Sequence, residues 1–228
     1  MNILPLELLP CPSCRYPMAA LCIGAMPAGY LTLDYCAACR GIWFDPLEST
    51  RLAAASILEL FRIIDDAQRS DSLPIASRLL CPRCSDTLVT TRDIVRSGPI
   101  AYHRCPNQHG RFTPFSHFLT EKGFVRHLAK NEIRGMAASI GQVNCHDCGG
   151  PIDLGIDTAC PHCRSPIAVL DSDAMAKAFE DYGSEAAPRV RKATDNLAGY
   201  LGNDLLLAQP RGTSLLQLGI GAVAKLFV

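Results

Sequence analysis

The chain has 228 residues and carries 22 basic and 22 acidic side chains, so its formal charge at pH 7 is zero. This balance argues against a protein that binds polyanions over its whole surface. The 12 cysteines exceed what ordinary packing needs. The start, MNILPLELLP, shows no secretory signal, and in a reducing compartment cysteine pairs more often hold metal than form disulfides. We therefore expect a cytoplasmic, metal-binding protein.

The first cysteine cluster is CPSC at 11–14 followed by CAAC at 36–39. A two-residue gap lets one tight turn point two thiolates at the same ion, and zinc takes four such ligands in a tetrahedron. The alternating residues 31–35 and the turn-forming residues 24–29 predict a hairpin that brings the two pairs together. Four thiolates would also suit iron in a rubredoxin-like site. We predict a zinc ribbon whose ligands are Cys11, Cys14, Cys36 and Cys39.

The stretch GIWFDPLE at 41–48 predicts the start of a helix. We expect Gly41 to supply the backbone conformation with which the chain leaves the metal turn, and Trp43 to fill a ribbon that has little core of its own. Asp45 and Glu48 stand where an N-cap and a capping-box carboxylate belong. A helix of about 20 residues should follow. Its predicted buried residues are Leu47, Leu52, Ile57, Leu60, Phe61 and Ile64, and the unpaired Cys22 is also predicted to be buried.

Residues 81–110 repeat this plan with a different fourth ligand. CPRC at 81–84 corresponds to CPSC, and Cys105 stands five residues before a glycine, as Cys36 does. No cysteine corresponds to Cys39, but His109 stands at the neighbouring position, with His103 as the competing candidate. The pattern indicates an internal duplication. Thr113 and Pro114 should open a helix that Gly123 kinks or ends, and a further helix should run from about Phe124 to Ala138. The predicted ligands of the second zinc are Cys81, Cys84, Cys105 and His109.

The third cluster, CHDCGGPIDLGIDTACPHC at 145–163, has its two pairs only 11 residues apart. Alternation at 152–157 predicts a short hairpin that still brings them together. His146 and His162 lie inside the pairs and are expected to be exposed loop residues. We predict a third ribbon, and about three structural zinc ions in all. Its predicted ligands are Cys145, Cys148, Cys160 and Cys163.

The strings CPSC and LDYCAACRGIWFDPLE resemble the bacterial zinc-finger family named after transcription factor IIB. The resemblance covers roughly residues 10–50 and implies a zinc ribbon. Residues 81–115 are similar to a degenerate second copy that departs from the family at the fourth ligand. The residues that carry the resemblance are Cys11, Cys14, Cys36, Cys39, Gly41, Trp43, Asp45 and Glu48.

These elements predict an α+β fold of three zinc-ribbon hairpins connected by α-helices. The expected units are residues 8–70, a ribbon with a helix; 78–140, a ribbon with helices; 141–170, a short ribbon; and 171–228, a helical tail. The tail ends in SLLQLGIGAVAKLFV, which is too short for a transmembrane helix. Whether this apolar helix docks on a partner, on a second copy or on the chain's own helices stays open.

Two functions are compatible with this sequence. Sites with four protein ligands leave no position for a reacting water, and the pairs lack the βαβ setting of a redox dithiol, so we expect no enzyme. The first prediction is a non-enzymatic adaptor or scaffold that presents a protein-interaction surface. The alternative is nucleic-acid binding by residues 78–134, because residues 74–140 hold 10 basic and 4 acidic side chains, interleaved with Tyr102 and Phe112. Its candidate contacts are Arg92, Arg96, Arg104 and Arg111.

Overall fold

A computed structural model of the chain contains strands and a few helices, consistent with an α+β fold. No helix in the part of the chain that it describes is long and apolar enough to cross a membrane. The structure describes residues 8–27, 29–52, 56–57, 60, 73–146, 149–162, 164–181 and 215.

One antiparallel sheet of six strands extends across the first two cysteine clusters. The strands are β1 (Ala19–Gly24), β2 (Tyr30–Cys36), β3 (Gly41–Phe44), β4 (Val89–Val95), β5 (Gly98–Arg104) and β6 (Arg111–Pro114). Their order in the sheet is β1-β2-β3-β6-β5-β4, so each cluster contributes three consecutive strands and the two sets meet at the centre. There β3 pairs with β6, with Trp43 opposite Phe112. One sheet therefore contains strands from both of the first two predicted units.

The two faces of this sheet cover two different cores, because successive side chains of a strand point to opposite faces. Ile42 and Phe44 pack with Phe118 and other apolar residues on one face. Trp43 packs on the other, in a cluster that contains the first two sets of cysteines. Cys22 is exposed, so the prediction that it is buried is wrong. It lies on the edge strand β1 beside Ile23, which is buried in the first of these cores.

The helix predicted after Trp43 begins differently from our expectation. Leu47 has a left-handed backbone and is 75% exposed, because the chain turns there before a single 3-10 turn at Glu48–Arg51. Leu52 is half-buried and forms a bridge with Ala25. Ile57 and Leu60 are helical and buried as predicted, whereas Phe61 and Ile64 lie outside the described residues.

The helix after β6 is α1 (Phe115–Glu121), and Gly123 ends it as predicted. Gly123 has a φ of 79°, and its N–H donates to Thr120 while the N–H of Phe124 donates to Leu119. These are the two hydrogen bonds of a Schellman motif, which needs a left-handed residue where glycine is favoured.

The helix predicted from Phe124 to Ala138 begins six residues later, and α2 covers Lys130–Ile140. The preceding residues Val125–His127 form β7, which pairs with β10 (Ala168–Leu170). Val125 and Leu170 are both buried in the core beneath α1, so the tertiary contact with β10 overrides the helical pattern of this short segment.

The third cysteine cluster lies in a separate small core. Strands β8 (Gln142–Asn144) and β9 (Pro151–Asp153) form a hairpin around its first pair. The strand predicted over 152–157 therefore ends at Asp153, whose carbonyl accepts the N–H of Asp157 in a turn. Beyond β10, α3 (Ser172–Asp181) is the described helix of the predicted tail. Leu215 is the sole residue described after 181, and it is buried in this core.

Candidate metal centres

The four cysteines of the first cluster lie together, with all four sulfurs within 4.8 Å of one another. The Sγ atoms of Cys11 and Cys39 are 3.3 Å apart, and that of Cys36 is 3.4 Å from Cys39. A disulfide would need about 2.05 Å, whereas the edge of a tetrahedron around zinc, with bonds of about 2.3 Å, is about 3.8 Å. The sulfurs are therefore spaced as ligands of one ion, and the donor set fits zinc.

The electrostatics of this set also favour a cation. Hydrogen bonds with Cys11 and Cys39 lower the pKa of Cys36 to about 2. The hydrogen bond with Cys36 raises the pKa of Cys11 to about 12, and hydrogen bonds with Cys11 and Cys36, together with burial, raise the pKa of Cys39. The Cys36 thiol therefore ionises readily, while the raised pKa values of Cys11 and Cys39 keep those two thiols protonated. A divalent cation would allow all four to become thiolates, because its charge offsets their mutual repulsion.

The second cluster brings together Cys81, Cys84, Cys105 and His109 within the same 4.8 Å limit. The Nδ1 atom of His109 lies 3.6 Å from the sulfur of Cys105 and 3.8 Å from that of Cys81. For tetrahedral zinc with bonds of about 2.3 Å to sulfur and about 2.05 Å to nitrogen, the expected distance between the sulfur and the nitrogen is about 3.6 Å. Burial raises the pKa of Cys81 to about 11. This site therefore offers three sulfurs and one imidazole nitrogen in tetrahedral spacing.

The competing histidine is placed elsewhere. His103 lies on β5, and its Nδ1 is 3.1 Å from the hydroxyl of Thr90 on the neighbouring strand. It is not among the four residues that the second cluster brings together. The geometry thus favours His109 over His103 as the fourth ligand.

The fourth ligands of the two sites lie in turns of equal length that differ in backbone conformation. Cys39 comes three residues after Cys36, and the next residue, Arg40, has a φ of 51°. In the second site the third residue after Cys105 is Gln108, which has a φ of 61°, and the ligand His109 follows it. The ligand and the left-handed residue have exchanged places. Both turns then reach a glycine five residues after their first cysteine.

The first cysteine pairs of all three clusters have one backbone pattern. The N–H of Cys11 donates to Tyr16 and its carbonyl accepts from Arg15, and Cys81 makes the same bonds with Asp86 and Ser85. In the third cluster Cys145 bonds in this way to Gly150 and Gly149. The fourth residue after each of these cysteines has positive φ, with Arg15 at 66°, Ser85 at 62° and Gly149 at 73°.

The second pair of the third cluster repeats that pattern. The N–H of Cys160 donates to Ser165, its carbonyl accepts from Arg164, and Arg164 has a φ of 66°. Cys145 and Cys160 are buried in one apolar cluster. Cys148 and Cys163 lie outside the described residues, so the structure does not test the complete ligand set. His162 is exposed as expected, whereas His146 is half-buried.

Two glycines let the ribbons pack against each other. A Cβ on Gly41 would lie 2.0 Å from the Phe112 ring, and one on Gly110 would lie 2.9 Å from the Trp43 ring and 2.2 Å from the carbonyl of Phe44. Each ribbon thus places an aromatic ring over the glycine of the other. The role predicted for Gly41 is wrong, because positive φ belongs to Arg40 and Gly41 is needed for close approach. Gly110, in contrast to Gly41, has a positive φ of 136°.

Asp45 links the two ribbons and does not cap a helix. Its carboxylate accepts the indole N–H of Trp43 at 2.9 Å and the Nε–H of Arg83 at 3.1 Å, and Arg83 lies in the first turn of the second site. The N–H of Asp45 donates to Glu48 at 2.8 Å, so the carboxylate predicted for the capping box does bind the backbone. The carboxylate of Asp45 is engaged by the two ribbons, which explains why the predicted N-cap is absent.

The candidate nucleic-acid contacts are placed unequally. Arg92, Arg96 and Arg104 are exposed. Arg111 is half-buried, and its guanidinium donates to both oxygens of Glu121 at 2.8 and 2.7 Å. It also lies 4.7 Å from the centre of the Tyr102 ring. Arg111 is therefore committed to the fold, and this could not be predicted from its position in a basic segment.

Residues 10–55 match the family described as transcription factor zinc-finger. No curated protein and no solved structure matches the chain. The match ends before residues 81–115, so their descent from a second copy of the same domain stays a prediction. The resemblance seen in CPSC and LDYCAACRGIWFDPLE is confirmed for the first copy. The chain therefore contains, at residues 10–55, a zinc ribbon of the transcription-factor-IIB type.

Proposed function

We propose that this protein is a non-enzymatic adaptor, held in shape by about three structural zinc ions, that presents a surface to a protein partner. The observation that carries the proposal is that cysteines of both described ligand sets lie in, or pack against, one buried cluster with Trp43 and Phe112. Each set offers four ligands to one ion, which fills a tetrahedral zinc and leaves no position for a reacting water. The third zinc would be held by Cys145, Cys148, Cys160 and Cys163.

The sheet offers surfaces that suit a protein partner. In the described part of the chain the order of strands ends at β1 and at β4, so each presents an unpaired edge to which an extended segment could add. Tyr30 is 77% exposed at the end of the β1–β2 hairpin, and Ile94 is 88% exposed near the end of β4. Rigid edges with exposed apolar residues support an adaptor that binds segments of other proteins.

Nucleic-acid binding is the second candidate, and the exposed guanidinium groups of Arg92, Arg96 and Arg104 support it. Single-stranded nucleic acid also needs aromatic faces on which bases stack. Phe112 is 0% exposed, and Tyr102 stacks with Arg111 and donates its hydroxyl to Asp93 at 2.9 Å. Tyr102 and Phe112, the two aromatic residues interleaved with these arginines, are thus used within the fold, and the other aromatic residues of the basic segment, Phe115, Phe118 and Phe124, are buried. The adaptor is therefore the better-supported function.

The thiol geometry favours a reducing compartment. The sulfurs of Cys11 and Cys39 are 3.3 Å apart and those of Cys84 and Cys105 are 3.7 Å apart, well beyond the length of a disulfide bond. We accordingly propose the cytoplasm as the place where the protein acts.

A selection of displayed peptides on the zinc-loaded full chain tests the adaptor. We expect enriched peptides to bind when resynthesised, as measured by calorimetry, and to lose binding after chelation of the metal. A mixed DNA and RNA ladder at low salt is the parallel assay. If no peptide is enriched, and the ladder shifts with wild type but not with a variant in which Arg92, Arg96 and Arg104 are replaced by Glu, the nucleic-acid function is correct and the adaptor is wrong.

A further inference from the structure

A groove of about 790 Å³ lies between the second ribbon and the third cysteine cluster. One wall is the end of the β4–β5 hairpin with α1, and the other is formed by β7, β10 and the turn at 164–166. The ring of His127 on β7 packs against Gly98 in the hairpin, where a Cβ would come within 2.5 Å of it. This contact holds the two walls together, so the groove is a preformed feature of the fold.

The charge lining the groove is mainly positive. Arg92 and Arg164 line opposite walls and are exposed. Within the described residues, no carboxylate forms an ion pair with either guanidinium. Asp93 is the acidic residue of the lining, and its carboxylate accepts the hydroxyl of Tyr102. Two uncompensated cations on facing walls suit an anionic occupant.

The remaining lining offers apolar contacts. Ile94, Pro99 and Pro166 supply apolar surface. An occupant matched to this groove would therefore carry carboxylates and short apolar side chains together.

We propose that this groove binds an acidic segment of a partner protein in which Asp or Glu alternates with apolar residues. The proposal rests on the adaptor function and names the chemistry of its partner. Arg92 and Arg164 bind carboxylates of the segment, while Ile94 and the two prolines contact its apolar side chains. Nucleic acid is the less suitable occupant, because none of the described residues that line the groove is a Phe, Tyr or Trp on which a base could stack.

The test uses fluorescence anisotropy with the zinc-loaded full chain and a labelled peptide of about ten alternating Glu and Leu residues, which spans roughly 33 Å when extended. Matched probes are the same peptide with Gln for Glu, and a single-stranded oligo-dT. We expect the Glu peptide to bind, the Gln peptide to bind about fivefold or more weakly, and added salt to weaken the Glu peptide selectively.

Three variants locate the binding. Arg92→Glu and Arg164→Gly should each weaken the Glu peptide by about fivefold or more, since a pair worth about 1 kcal/mol is lost. Glycine suits position 164 because Arg164 has a φ of 66°. Arg96→Glu is the matched control, an exposed arginine of the same hairpin that does not line the groove, and should stay within about twofold. Zinc content and thermal unfolding verify that each variant is folded.

The outcomes separate the two proposals. Failure of the Glu peptide to bind, or equal binding by wild type, Arg92→Glu and Arg164→Gly, overturns the groove as the acidic-segment site. The adaptor function survives that result if peptides selected by display still bind elsewhere on the chain. Binding of oligo-dT that both groove variants abolish, without peptide binding, would overturn the groove proposal and, if no displayed peptide is selected, the adaptor as well.

Discussion

The first two ribbons have the same order of elements but complete their metal sites differently. The first closes with Cys39 and then the left-handed Arg40, whereas the second passes through the left-handed Gln108 and closes with His109. Outside this turn they correspond closely, since each has three strands and places a ring over the other's glycine. The comparison teaches that the ligand can change when the turn is rebuilt within the same length, while the contact between the ribbons keeps its form.

The largest effect should follow from the loss of one buried ligand in either ribbon. Structural zinc contributes about 10–16 kcal/mol in small fingers, which is comparable with the whole stability of a domain, about 5–15 kcal/mol. Because both sites lie in one apolar cluster, Cys11→Ser and Cys81→Ser should each unfold both ribbons. Circular dichroism and Trp43 fluorescence monitor the sheet. Retention of Trp43 burial in Cys81→Ser would show that the ribbons are independent.

The exchange of ligand and left-handed residue can be tested by rebuilding the second turn on the plan of the first. His109→Ala should lose the zinc of the second site, whereas His103→Ala should keep it. The double variant Gln108→Cys with His109→Gly moves the ligand to the third position and the left-handed residue to the fourth, so it should regain zinc. Metal analysis and the absorption of the cobalt-substituted protein measure both. The account of this turn is wrong if His103→Ala loses the metal and His109→Ala retains it.

A smaller effect should distinguish the two glycines. Gly41→Ala places a methyl group against the Phe112 ring and should cost about 1–3 kcal/mol. Gly110→Ala should cost more, because its φ is 136° and the new atom would meet the carbonyl of Phe44. Shortening the opposing ring with Phe112→Leu should partly rescue Gly41→Ala and leave Gly110→Ala unchanged. Urea unfolding of the zinc-loaded variants gives these free energies, and equal costs without rescue would refute the packing explanation.

The smallest effects concern Asp45, which has no acidic counterpart in the second ribbon, where Pro114 follows Thr113. Asp45→Ala removes the acceptor of the indole N–H of Trp43 without changing the core, and should lower the free energy of unfolding by at least about 1 kcal/mol, because a buried donor is left unpaired. Arg83→Ala removes a largely exposed ion pair with the same carboxylate and should cost less than about 1 kcal/mol. Thermal unfolding compares the two, and a larger loss in Arg83→Ala would reverse this order.

The sequence located the first two ligand clusters because two-residue gaps between cysteines constrain the backbone locally. It also located Gly123 as the end of α1, since a left-handed residue has a local signature. The pairing of β3 with β6 was not predictable, because it joins segments about 70 residues apart and leaves no local pattern. For the same reason, the sequence could not show that Gly41 is needed for the close approach of the Phe112 ring. The prediction that Leu47 is buried in a helix was wrong, because the chain turns at Leu47 although the spacing of its apolar residues is helical.

Zinc content per folded chain tests the central claim most directly. The claim is that four-coordinate ions, with Trp43 and Phe112 between the first two, hold the ribbons in shape. Native mass spectrometry should give about three zinc ions per chain. Trp43 fluorescence on the same sample should show that the indole is buried. A chain that carries no ion, yet keeps Trp43 buried and its sheet intact, would contradict the account.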